Sequence, residues 1–201
     1  MSLPPFAVTW DYRCPFARNA HEHIVAGLRA GAPWDVTFSP FSLNQVHVEE
    51  GGLDVWDDPA AAPALLSMAA ALAVRDEQPA AFLDVHEALF RARHDEGVDL
   101  RIPEVVAGVI DAAGGDGGAA LSSVAAGGPL DVFRKEHEAS VANYKVFGVP
   151  TFVVGEAAVF IRFMNRPKGD SDLAVSTVER SVALIVDFPE LNEFKYSSLK
   201  R

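Results

Sequence analysis

The residues Cys14-Pro15-Phe16-Ala17 hold the sharpest chemical signal in this 201-residue chain. Cys14 is its only cysteine, so no disulfide forms within the chain and a zinc site built from several cysteines is excluded. A single thiol has two uses, as a small buried residue or as a nucleophile, and the neighbours of Cys14 favour the second. Phe6-Ala7-Val8-Thr9-Trp10-Asp11-Tyr12 mixes β-branched and aromatic residues and reads as a strand. Pro15 suits the first turn of a helix running to Leu28, with Gly31 near its stop. Cys14 then stands at a helix N-terminus, where free backbone N–H groups and the positive end of the dipole favour a thiolate and depress its pKa. Arg13 and Arg18 are expected to add positive charge there.

Other candidates carry less. His21 lies seven residues on, about 10 Å along the helix axis, and is not assigned as a base. His21 and His23 face different directions, His86 and His94 are eight apart, and His47 and His137 are isolated, so no metal-ligand pattern emerges. These read as satisfied surface or core histidines. Glu49-Glu50 and Asp95-Glu96 read as solvated charges. Trp34 is assigned to core packing and Phe16, beside the nucleophile, to a substrate surface, while Trp10 and Trp56 fit either use.

The elements around the motif follow from pattern and punctuation. Asp35 to Phe41 reads as a second strand that Pro40 places near a sheet edge. A helical block follows, in which Phe82, Val85, His86, Leu89, Phe90 and Arg93 recur at helical spacing, as do Val105, Val106, Val109 and Ile110. Gly114-Gly115-Asp116-Gly117-Gly118 and Gly127-Gly128-Pro129 are turn signals; with no strand before and no lysine after, they are no phosphate loop. Leu130, Phe133, His137, Val141 and Tyr144 stripe a helix expected to end on Gly148 as its C′ residue. Val149 to Val154 and Ala158 to Phe163, joined at Gly155-Glu156, predict a hairpin. Val175, Val178, Val182, Ile185 and Val186 mark a last helix closed by Phe188-Pro189. The order β-α-β, helical block, α-β-β-α predicts a mixed sheet with helices on both faces.

Composition limits the partners. Hydrophobic residues at 49% and charged residues at 22% are those of a globular chain, and the length suits one domain with a sizeable insertion. Seventeen Lys+Arg against twenty-eight Asp+Glu leave a net charge of −11, which argues against gripping nucleic acid. Met1 to Pro5 shows no basic run followed by an apolar stretch, so the expected location is cytoplasmic. Pro63 to Val74, the most apolar helical stretch, is too short for a bilayer of roughly 30 Å and reads as a buried helix.

Trp10-Asp11-Tyr12-Arg13-Cys14-Pro15-Phe16-Ala17 and Phe147-Gly148-Val149-Pro150-Thr151-Phe152 together resemble the DsbA-like branch of the thioredoxin superfamily. Cys14 and Pro150 stand 136 residues apart, which suits a helical insertion. Met164-Asn165-Arg166-Pro167 and Asp187-Phe188-Pro189-Glu190-Leu191 look like the branch containing actinobacterial mycothiol-dependent reductases. The resemblance implies an α/β, thioredoxin-like fold with a mixed central sheet. Residues 1–50 and 129–201 would form the thioredoxin-like domain and residues 51–128 the inserted all-helical domain. It further implies that Cys14 is the catalytic nucleophile, that Pro150 is cis and faces it, and that Pro15, Phe16, Ala17, Val149 and Pro150 line the substrate site. One departure decides the mechanism: the family motif is Cys-Pro-X-Cys, and Ala17 stands where its second cysteine would be. Cys14 must therefore attack a disulfide or electrophile and be released by an external small thiol, mycothiol or glutathione, with no tightly bound cofactor. Two other readings remain. The chain is a thiol-dependent transferase or isomerase, like kappa-class glutathione transferases and 2-hydroxychromene-2-carboxylate isomerases, or a binding module that has lost redox function.

Overall fold

The computed structural model describes residues 3–193 and 195–196. Its sheet is built from β1 (Phe6–Trp10), β2 (Val36–Pro40), β3 (Thr151–Val154) and β4 (Ala157–Phe160), in the order β2-β1-β3-β4. β1 and β2 run parallel, while β3 is antiparallel to both β1 and β4, as the predicted crossover and hairpin require. β1 places Phe6, Val8 and Trp10 in the core. Pro40 ends an edge strand opposite Trp10, where its missing N–H leaves no inner ladder bond unmade.

Between β1 and β2 lies α1 (Pro15–Arg29), its first turn entered through Pro15 and its end followed by Gly31 at φ 86°. Gly27 lets the indole of Trp34 lie on this helix, since a Cβ there would fall 2.2 Å from the ring. After β2 come α2 (Leu43–Val46), α3 (Ala62–Glu77), α4 (Phe82–His94), α5 (Pro103–Ala112), α6 (Gly117–Ala125) and α7 (Gly128–Tyr144), and α8 (Ser171–Asp187) closes the order. α3 is apolar along its length and buries Leu65, Met68, Leu72 and Val74; it packs on α4, α6 and α7. α1 packs on α8 and α4, and α7 reaches β2. Among the described residues no helix is long and apolar enough to cross a membrane.

Several boundaries differ from expectation for local reasons. β1 stops at Trp10 because the Asp11 carboxylate turns to accept the N–H groups of Arg13 and Leu43. Gly148 does not end α7. Lys145 takes the left-handed conformation, φ 56°, and the N–H groups of Lys145 and Val146 close on the carbonyls of Val141 and Ser140. Gly117-Gly118 open α6 rather than a loop, capped by Asp116; glycine is required at 117 because a Cβ would fall 2.4 Å from the Ala107 carbonyl oxygen of α5. β4 ends at Phe160, and Ile161 to Phe163 leave the sheet.

Candidate active site at the start of α1

Cys14 is the N-cap of α1, with φ −93° and ψ 116°, the extended geometry of a residue entering a helix. Its Sγ accepts the N–H of Ala17 at 3.4 Å, where an aspartate or serine oxygen commonly serves. Across the site, the thiol donates to the Val149 carbonyl at 3.3 Å, and the Val149–Pro150 peptide bond is cis. Residues 135 positions apart in sequence thus meet atom to atom. Thr9 of β1 braces the far side: its hydroxyl accepts the N–H of Thr151 at 2.8 Å, and the Thr151 hydroxyl donates to the Gly148 carbonyl. Pro150 and Val149 are buried, Pro15 is exposed and Phe16 half-buried. Ala17 is fully buried, so nothing occupies the second-cysteine position but a methyl group packed in the core.

The expected depression of the thiol is not what this environment gives. Burial pushes the Cys14 thiol up; the N–H groups of Ala17 and Phe16 pull it back, and the Asp11 charge pushes it further up. The bond to the Val149 carbonyl acts in the same direction, because a carbonyl oxygen accepts from a thiol and repels a thiolate. Nor do the two arginines deliver charge to sulfur. Arg13 turns to Asp11 and the Asn44 side chain. Arg18 pairs with Asp95, which also takes Arg166. Asp95 is therefore no freely solvated charge; it anchors the end of α4 to the first turn of α1.

The histidines also find definite places. His21 Nε2 donates to the Thr9 carbonyl at 3.2 Å, which leaves Nδ1 to accept from His86 Nε2 at 2.9 Å, and His86 Nδ1 to accept the Tyr12 hydroxyl at 2.8 Å. A carbonyl that can only accept fixes both tautomers and the direction of the whole chain. His94 Nε2 donates to the Tyr12 backbone carbonyl at 2.8 Å. Two histidines of α4 thus hold Tyr12, two residues before Cys14, at both ends. His86 and His94 lack any metal spacing, and only the fold turns them to one target.

Trp10 and Trp34 are buried in the core, and Trp56 packs on Phe133 and His137. Phe16 lies at the surface under the Arg162 guanidinium, 5.3 Å from ring centroid to Cζ. Phe147, two residues before Val149, is 66% exposed and leans on Phe160. Arg162 and Asp11 escaped sequence reasoning; Asp11 stood within a run already marked by two aromatics, whereas nothing near Arg162 in sequence points to Cys14.

A thiol capping a helix, backed by the residue preceding a cis-proline on a four-stranded mixed sheet, defines the thioredoxin-like class. The family model for the DSBA-like thioredoxin domain matches residues 8–165, and the chain belongs to that family. No curated protein sequence matches it significantly. Among solved structures, it is similar to a 2-hydroxychromene-2-carboxylate isomerase (18% identity, TM-score 0.59, covering 90% of this chain and 98% of that one). It is likewise similar to MdbA, a thiol-disulfide oxidoreductase from Actinomyces oris (18%, 0.60, 87% and 80%). A third is the cytosolic disulfide reductase DsbM from Pseudomonas aeruginosa, solved with GSH (18%, 0.57, 90% and 100%). At these identities the likeness is one of fold.

Proposed function

We propose that the protein is a thiol-disulfide oxidoreductase of the DsbA-like family that works through Cys14 alone, with an external low-molecular-weight thiol completing each cycle. The observation that carries the reading is the seating of the chain's one thiol between the Ala17 N–H and the carbonyl before Pro150. In this cycle the Cys14 thiolate attacks a disulfide R–S–S–R, forming Cys14–S–S–R and releasing R–S⁻. A second small thiol then attacks the mixed disulfide, restoring Cys14 and yielding a disulfide. Val149 and Pro150 shape the surface against which the substrate lies, with Pro15 and Phe16 opposite; Ala17, whose methyl is fully buried, acts there only through its N–H on the Cys14 sulfur and not as a contact surface. A cytoplasmic setting belongs to the proposal, because a cysteine without an internal partner depends on a reducing thiol pool.

Mass analysis of the reduced protein mixed with glutathione disulfide or mycothiol disulfide tests this. The expected result is one adduct per chain, on Cys14, removed by the free thiol. No adduct from either disulfide at alkaline pH would sink the proposal. The raised thiol favours one second reading: a bound thiol cofactor does the chemistry and Cys14 only orients it, as in a transferase or isomerase. Turnover retained in Cys14→Ser would choose that reading, and turnover abolished would choose the first.

A further inference from the structure

Ile161 N–H donates to the Pro150 carbonyl at 3.1 Å, and the Asn19 side-chain amide of α1 donates to the Phe163 carbonyl at 2.8 Å. These two bonds pin the chain on either side of Arg162, one to Pro150, just before β3, and one to α1, the helix that Cys14 caps. The guanidinium of Arg162 is thereby laid over Phe16, 5.3 Å from its centroid, two residues beyond the thiol. Arg162 is exposed and, among the described residues, pairs with no carboxylate. The arginines nearer in sequence are already engaged: Arg13 with Asp11, Arg18 with Asp95.

The rim of the site therefore offers a guanidinium that lies over the Phe16 ring and, among the described residues, has no carboxylate partner. A planar fork stacked on an aromatic face is pre-oriented, and the geometry it matches is a carboxylate. The rest of the molecule works the other way. A net charge of −11 repels anions, so an anionic substrate needs a local cation to dwell at Cys14. We propose that Arg162 selects carboxylate-bearing disulfides and thiols as the exchange partners of Cys14, an inference that rests on the single-cysteine cycle above. Exchange with such a disulfide forms the Cys14–S–S–R bond and breaks the original S–S bond. Cys14 loses its proton to solvent and is oxidised to the mixed disulfide, and half of the disulfide leaves reduced as the thiolate R–S⁻, which takes up a proton from solvent.

The test measures adduct formation on the full chain with three probes: glutathione disulfide (anionic), bis(2-hydroxyethyl) disulfide (neutral) and cystamine (cationic). Each rate is expressed relative to the same probe acting on a free cysteine peptide. Wild type should favour the anionic over the neutral probe. In Arg162→Gln that preference falls roughly fivefold at low salt, the size of an exposed ion pair, and in Arg162→Glu the order inverts toward cystamine. Added salt should shrink the wild-type preference. If the three probes keep their wild-type ratios in Arg162→Glu while Cys14 still exchanges, Arg162 is not the selector and the cycle stands. If no probe modifies Cys14, the cycle itself fails and the selectivity with it.

Discussion

Cys14 is held as a protonated thiol between a donor and an acceptor, and this sets its pH behaviour. With the folded thiol pushed above its ordinary range, adduct formation should keep rising with pH past the point where a free cysteine peptide has levelled off. The stability sign follows: the raised thiol favours the fold below the ordinary thiol range and loses that contribution as pH climbs through the folded value. Rates with iodoacetamide from pH 7 to 10 check it, and a plateau below that of the free peptide would contradict it. Ala17→Cys tests the missing partner directly. Residues three apart at a helix start place their Cα atoms within the roughly 4.4–6.8 Å range of disulfides, and the Ala17 N–H already touches Sγ. The variant should close an internal disulfide under mild oxidant and expel glutathione from the mixed disulfide, read as loss of both free thiols. The cysteine, the proline and the absent second cysteine were all legible in sequence. The direction of the thiol's shift was not, because burial and the Val149 carbonyl come from residues far along the chain.

At the scale of elements, α4 grips the loop that leads into α1. Its His86 takes the Tyr12 hydroxyl, its His94 the Tyr12 carbonyl, and Asp95 at its end takes Arg18. Tyr12→Phe leaves His86 Nδ1 a buried acceptor without a donor, at a cost of about 1–3 kcal/mol. That should appear as a lowered urea midpoint with unchanged slope. It should also quicken hydrogen exchange at the first amides of α1, since Tyr12 stands two residues before Cys14, the N-cap of that helix. An unaltered midpoint would show that the histidine chain contributes nothing to holding the loop. Strand and helix assignments around this junction came readily from period and punctuation. The end of α7 did not, since Lys145 adopts the left-handed conformation that Gly148 seemed to announce.

For the whole molecule, buried neutral histidines join the helical block to the sheet side. His21 of α1 meets His86 of α4, and His137 of α7 accepts the Ser42 N–H while packing on Phe41 and Trp56. Burial lowers His21 and His137 to about 4 and holds His86 well below the usual range. The unfolded chain therefore takes up protons first on acidification. The stabilisation is complete above about pH 6.5 and is lost as pH falls toward 4, where the unfolded chain protonates His21 and His137 and the folded one does not. Urea midpoints measured from pH 7 to 4 should fall accordingly, and a flat profile would show that these histidines are not held neutral. The sequence by itself determined the thioredoxin-like order of elements, the nucleophile candidate and the exclusion of an internal disulfide. These depend on local pattern, on spacing and on a count of one. Only the tertiary structure decided that Arg13 and Arg18 serve ion pairs while Arg162 faces Phe16, and that His21, His86 and Tyr12 form one chain. Such pairings are set by which distant residues packing brings together, and no local period encodes them.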